Sequence, residues 1–114
     1  MLRKINRLTK ERDFDRMAKF GRSLVLPFLI IRSFKKEEGS FSRFGFIVSK
    51  RISKLATRRN YIKRIMREIV RDLLSDILIG YDFVFIARSP IKFINFSELK
   101  NSIYAAFKKM NLLK

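Results

Sequence analysis

The chain has 114 residues, with 27 Lys and Arg against 10 Asp and Glu, for a formal charge of +17. That length suits a single domain over residues 1–114, and the 47% hydrophobic content is enough for one core, which excludes a disordered basic tail. With no Cys and no His, thiol and imidazole catalysis, disulfides and Cys/His zinc sites are excluded as well.

Thr9 to Phe20 reads as a short helix, with Phe14, Met17 and Phe20 on or near one face and Gly21 as its C-terminal cap. Met1 to Asp15 alternates charged and apolar residues and lacks the apolar run of a secretory signal. The longest apolar run, Leu24 to Ile31, is too short to span a membrane and contains Pro27. These features lead us to expect a soluble, cytoplasmic protein with no membrane partner. Leu24 to Phe34 reads as a strand whose early part Pro27 confines to an edge or bulge, and Lys35 to Ser40 as a hairpin turn. Phe41 to Ser49 is the returning strand. Its alternation puts Phe44, Phe46 and Val48 on a core face, and Arg43, Gly45, Ile47 and Ser49 on a face that lets a partner approach the backbone.

Ile62, Ile65, Met66, Ile69, Val70, Leu73, Leu74 and Ile77 form an apolar stripe with alternating spacings of 3 and 1, which predicts a helix from about Thr57 to Leu78, stopped by Gly80. Arg59, Lys63, Arg67 and Arg71 recur at four-residue intervals on the opposite flank, beside Asn60 and Arg64. Asp82 to Arg88 is a strand apolar on both faces, and so central and covered. Asn95, with Glu98 three residues on, opens a last helix that turns Leu99, Ile103, Ala106, Phe107 and Met110 inward.

The charge is focused. Residues 43–71 hold ten basic side chains and one acid, Glu68, so they carry +9 of the +17. A solvated face mixes signs, whereas a footprint for a polyanion does not. Asp13 and Asp15 point in different directions and Asp72 and Asp76 are an exposed pair, so these carboxylates offset basic neighbours rather than form a catalytic dyad. No glycine-rich phosphate loop exists among the four glycines. The residues therefore point to RNA or DNA binding without a protein-borne active site. Phe14 is either core or, beside Arg16, a surface on which a base stacks. Asn60 is either a local cap or an RNA-binding group, and Tyr61 packs at the edge of the stripe.

The run Gly45-Phe46-Ile47-Val48-Ser49-Lys50-Arg51, followed by Arg59-Asn60, Ile62-Lys63-Arg64 and Arg67-Glu68, closely resembles the protein subunit of bacterial ribonuclease P. Leu8 to Phe14, with Asp13-Phe14, resembles that family's opening helix, and Tyr81 to Pro90, ending Ile86-Ala87-Arg88-Ser89-Pro90, resembles its last strand, so the resemblance extends over nearly the whole chain. It implies an α+β fold: a single-domain α/β sandwich in the order α-β-β-β-α-β-α with a left-handed βαβ crossover, of the ribosomal protein S5 domain 2 type. The three strands before the basic helix imply one more break within Leu24 to Ser49.

The resemblance also implies a function. The RNA subunit, with bound magnesium, would cleave the 5′ leader from precursor tRNA, and this chain would be the protein component of that endoribonuclease, with no tightly bound cofactor or metal of its own. Lys50, Arg51, Arg58, Arg59, Asn60, Lys63, Arg64 and Arg67 would bind the RNA subunit. Phe14, Arg16, Arg32, Arg43, Gly45 and Ser49 would line the cleft for the leader, and the protein alone would be monomeric. Three positions depart from the family pattern: Tyr61 replaces an Arg, Ala18 an aromatic of the opening helix, and Arg32 an aromatic facing the cleft. The alternative is a ribosomal-type structural RNA binder with no role in cleavage. A basic amphipathic membrane binder is disfavoured because the core needs the apolar stripe.

Overall fold

Strand alternation and the 3,4-spaced helix stripe give the chain two kinds of apolar surface, and one sheet buries both. The computed structural model describes residues 3–36 and 41–114. It runs α1 (Glu11–Phe20), β1 (Arg22–Val25), β2 (Leu29–Lys35), β3 (Arg43–Ile47), α2 (Ala56–Leu73), β4 (Tyr81–Ala87) and α3 (Phe96–Lys109), the order the family resemblance implies. The single strand read over Leu24 to Phe34 is in fact two. The Leu26 N–H donates to the Leu29 carbonyl at 2.8 Å and closes a turn over Pro27 and Phe28, where proline's missing N–H costs the ladder nothing.

The strands lie in the order β1-β2-β4-β3, with β2 antiparallel to both neighbours and β3 parallel to β4. The expected hairpin between the second and third strands therefore does not form, because β4 lies between them. Phe83, Val84 and Phe85 are buried on both faces of β4, so it takes the centre, and β3 reaches it through the α2 crossover. The proposed turn residues 37–40 lie outside the described residues.

One sheet face carries the main core. Phe44 stacks on Phe83 at 5.1 Å, Phe107 of α3 meets Phe83 edge-on at 5.1 Å, and Met66, Ile69 and Val70 of α2 pack against them. The basic helix ends earlier than its stripe suggests. Leu74–Asp76 tightens into a 3-10 turn, Ile77 bridges to Leu113, and Gly80, at φ 92°, leads into β4. Asn95 caps α3 as expected, its side chain accepting the Glu98 N–H at 2.8 Å. At the other end Asn111 is left-handed at φ 59°, and the N–H groups of Asn111 and Leu112 close on the carbonyls of Lys108 and Phe107 at 3.1 and 2.9 Å.

The opposite sheet face is only partly covered. Met17 of α1 and Leu8 bury against Val84, with Phe14, Phe34 and Ile86 half-buried around them. Phe20, expected on the inward face of α1, is exposed, and Asp13 is buried instead. Gly21 caps α1 at φ −75°, so what it supplies is space: a Cβ there would sit 2.6 Å from the Met17 carbonyl oxygen. The N-terminal segment runs along the free edge of β3. Arg7 bridges to Phe44, the Leu8 N–H donates to the Phe44 carbonyl at 2.8 Å, and Asn6 Nδ2 donates to the Ser42 carbonyl at 2.8 Å.

Candidate nucleic-acid interface

The placement of α1 depends on a buried ionic cluster. Arg43 of β3 donates through Nε and a terminal nitrogen to both Asp82 oxygens at 3.0 and 2.7 Å, and through its other terminal nitrogen to Asp13 at 3.2 Å. Lys36 adds a 3.0 Å ion pair to Asp82. Asp82 and Asp13 are 3% and 6% exposed, so these partners are what make their burial tolerable. The hydrogen bond to Asp82 chiefly, helped by the charges of Asp82 and Asp13 and opposed by burial, raises the Arg43 pKa above its ordinary value. Arg43 therefore builds the cleft rather than facing it. Gly45 does the same: it is buried, and a Cβ there would lie 2.6 and 2.7 Å from two atoms of the Phe14 ring. The partner that approaches this backbone is the chain's own Phe14, which is half-buried. One side of the ring packs against Gly45 while part of it stays accessible.

Beyond α1 the sheet face is open. Val25, Ile30, Ile86 and Ile47 form one cross-strand row, with Val25 60% and Ile47 38% exposed. Arg32 stands in the next row between Ser23 and Val84, and its Nε is buried with no hydrogen-bond partner among the described residues. Arg16 is exposed on α1 with its guanidinium carbon 5.8 Å from the Phe34 ring centroid, and Ser49 is exposed past the end of β3. The result is an apolar floor bordered by cations, suited to bases laid flat with phosphates at the margin.

The second basic surface is α2 with the loop before it. Lys50, Arg51, Arg58, Asn60 and Arg64 are exposed, and Lys63 and Arg67 half-buried. Arg64 lies over the Tyr61 ring at 5.3 Å, so Tyr61 is a half-exposed support for a cation rather than an edge of the core. Asn60 sits in the second turn and the helix has no side-chain N-cap bond, which removes the capping reading of Asn60. Arg59 takes that role differently: one guanidinium nitrogen donates to the carbonyls of Ser53 and Lys54, both at 2.9 Å. No acid lies in the first turn, so the positive end of the helix dipole adds to the cations there. Arg7 and Arg71, absent from the sequence-based site, line one groove with Arg64 and Arg67, in which Glu68 and Asp72 also take part. Residues 1–22 hold eight Lys and Arg against three acids, but only the pairing of this segment with β3 brings Arg7 to α2.

Three carboxylates act as counter-charges. Asp13 and Asp82 are held by Arg43 and Lys36, and Asp72 meets Lys100 at 3.3 Å. Among the described residues no three Asp or Glu gather where they could hold a metal ion. Also among the described residues, no helix is long and apolar enough to cross a membrane.

The ribonuclease P family model matches residues 2–111. The ribonuclease P protein component of Alkaliphilus oremlandii is 35% identical over 113 residues, 98% of this chain and 96% of the relative. That of Bacillus cereus strain AH187 is 34% identical over 111 residues, 97% and 96% of the two chains. Among solved structures, the RNase P protein of Staphylococcus aureus superposes with a TM-score of 0.86 at 31% identity, covering 97% of this chain and 100% of that one. The RNase P protein of Thermotoga maritima gives 0.80 at 31% identity over 90% and 96%.

Proposed function

Because this chain belongs to the bacterial ribonuclease P protein family, and so serves tRNA processing as part of a ribonucleoprotein, we propose that it binds the RNA subunit through α2 and binds the 5′ leader of precursor tRNA across the open half of the sheet. The observation that carries this is a helix with two unlike faces: Ile62, Met66, Ile69 and Val70 are buried in the core, while Lys63, Arg64 and Arg67 form a flank that stays net positive beside Glu68. Such a flank repels itself and is relieved by a polyphosphate. The leader would lie over Val25, Ile30, Ile86 and Ile47, with Arg16 and the partly exposed Arg32 side chain taking phosphate or base oxygens and the exposed part of Phe14 offering a stacking edge.

Cleavage would belong to the RNA subunit with its magnesium, in keeping with buried carboxylates already neutralised by Arg43 and Lys36. The work of this chain is then to hold and orient substrate, acting in the cytoplasm as a monomer before assembly.

Reconstitution with ribonuclease P RNA tests this. The protein should permit precursor cleavage at magnesium concentrations where the RNA alone is poor, and affinity should fall as the leader is shortened. Stimulation with no dependence on leader length would remove the leader site. Binding without stimulation would favour a ribosomal-type structural RNA binder.

A further inference from the structure

The 3-10 turn Ser89–Phe93, between β4 and α3, buries Ile91 but leaves Phe93 86% exposed, and Lys92 Nζ lies 5.7 Å from its ring centroid. The hollow beside this ring is lined by Lys50, Arg51, Lys54, Arg58 and Lys92, with no carboxylate lining it among the described residues. Arg58 and Lys92 also line the adjoining hollow between α2 and α3, where Tyr61 and Phe96 are 49% and 38% exposed. Exposed rings interleaved with cations of one sign match a partner that carries negative charge along its backbone and flat π faces on its side groups. An apolar protein surface would leave the cations uncompensated. The α2 and α3 helices pack on the sheet face opposite the open cleft.

We propose that Phe93 is a stacking platform for unpaired nucleotides of the RNA subunit, with Tyr61 and Phe96 continuing it and Lys92, Lys54 and Arg58 holding the adjacent phosphates. The proposal rests on the reading that α2 faces the RNA subunit, and it adds a base-stacking site that the basic helix alone does not supply.

The chain has no Trp, so Phe93→Trp introduces a single reporter whose emission is quenched when a base stacks on it. Adding full-length ribonuclease P RNA to this variant should quench the emission with one-to-one stoichiometry. Phe93→Ala and Phe93→Leu should both weaken binding of the RNA subunit, roughly 5- to 150-fold for a lost base stack, while Phe93→Trp retains it. The thermal midpoint should stay put in all three, since the ring touches solvent. In the assembled holoenzyme, the ratio of affinities for precursors with long and short leaders should not change. Wild-type affinity for Phe93→Ala, full retention by Phe93→Leu, or a loss that follows leader length would each overturn the platform, as would quenching by anionic vesicles but not by RNA. Arg64→Ala and Arg67→Ala measured in parallel separate the failures. If they weaken RNA binding and Phe93→Ala does not, only this proposal falls. If none of them does, the placement of α2 on the RNA subunit falls with it.

Discussion

Arg43 shows how one residue can look like a ligand contact and act as a fastener. Its alternation places it on the partner-facing side of β3, yet there it meets Asp82 from the neighbouring strand and Asp13 from α1. Those two residues are 39 and 30 positions away. Truncation would leave buried Asp13 without an ion-pair partner and Asp82 with Lys36 alone among the described residues, so Arg43→Ala should cost about 3–5 kcal/mol of stability in urea unfolding. Arg43→Lys should recover only part of that, because an ammonium cannot span both Asp82 oxygens as a fork. A raised pKa on a cation means its contribution is fully present below the ordinary arginine value and is lost only as pH rises through the raised one. The penalty of Arg43→Ala should therefore be the same at pH 7 and pH 9. Gly45 and Phe14 are a matched pair of the same kind, a missing Cβ on the strand and a ring from the helix filling its place.

At the scale of elements, α2 divides its arginines by role. Arg59 closes the loop before the helix through two carbonyls, whereas Arg64 leans on Tyr61 and offers its guanidinium to solvent. Arg59→Ala should therefore lower both thermal stability and RNA affinity. Arg64→Ala should leave the thermal midpoint unchanged while weakening binding and reducing the slope of log affinity against log salt by about one. Thermal melts and a salt titration on both variants separate the two roles. The β1–β2 turn is also held by a cation: Arg88 donates to the Leu26 carbonyl at 2.8 Å, which ties the proline turn to the end of β4.

For the whole molecule, a charge of +17 sets two responses to salt in opposition. Screening relieves self-repulsion in the free protein, so its melting temperature should rise with added salt. The same screening removes the gain from counterion release, so RNA affinity should fall over the same range. Calorimetry and filter binding across one salt series should give slopes of opposite sign. Parallel slopes would mean that the charge is spread too thinly to form a footprint.

Periodicity, charge and caps were legible in the residue order because each depends on neighbours a few positions apart. The stripe of α2, the Asn95 cap, the core face of Phe44, Phe46 and Val48, and the basic flank are all of this kind. The sequence by itself thus determined an RNA-directed α+β protein of the ribonuclease P type, with no His or Cys chemistry of its own. Only the tertiary structure decided that β4 separates β2 from β3, that Arg43 and Gly45 are spent on holding α1, that Arg7 joins α2, and that Phe93 stands free beside Lys92. Each of these depends on which distant segments share a sheet edge or face. That choice is made by burying β4 on both sides and neutralising Asp82, and neither requirement leaves a local pattern in the chain.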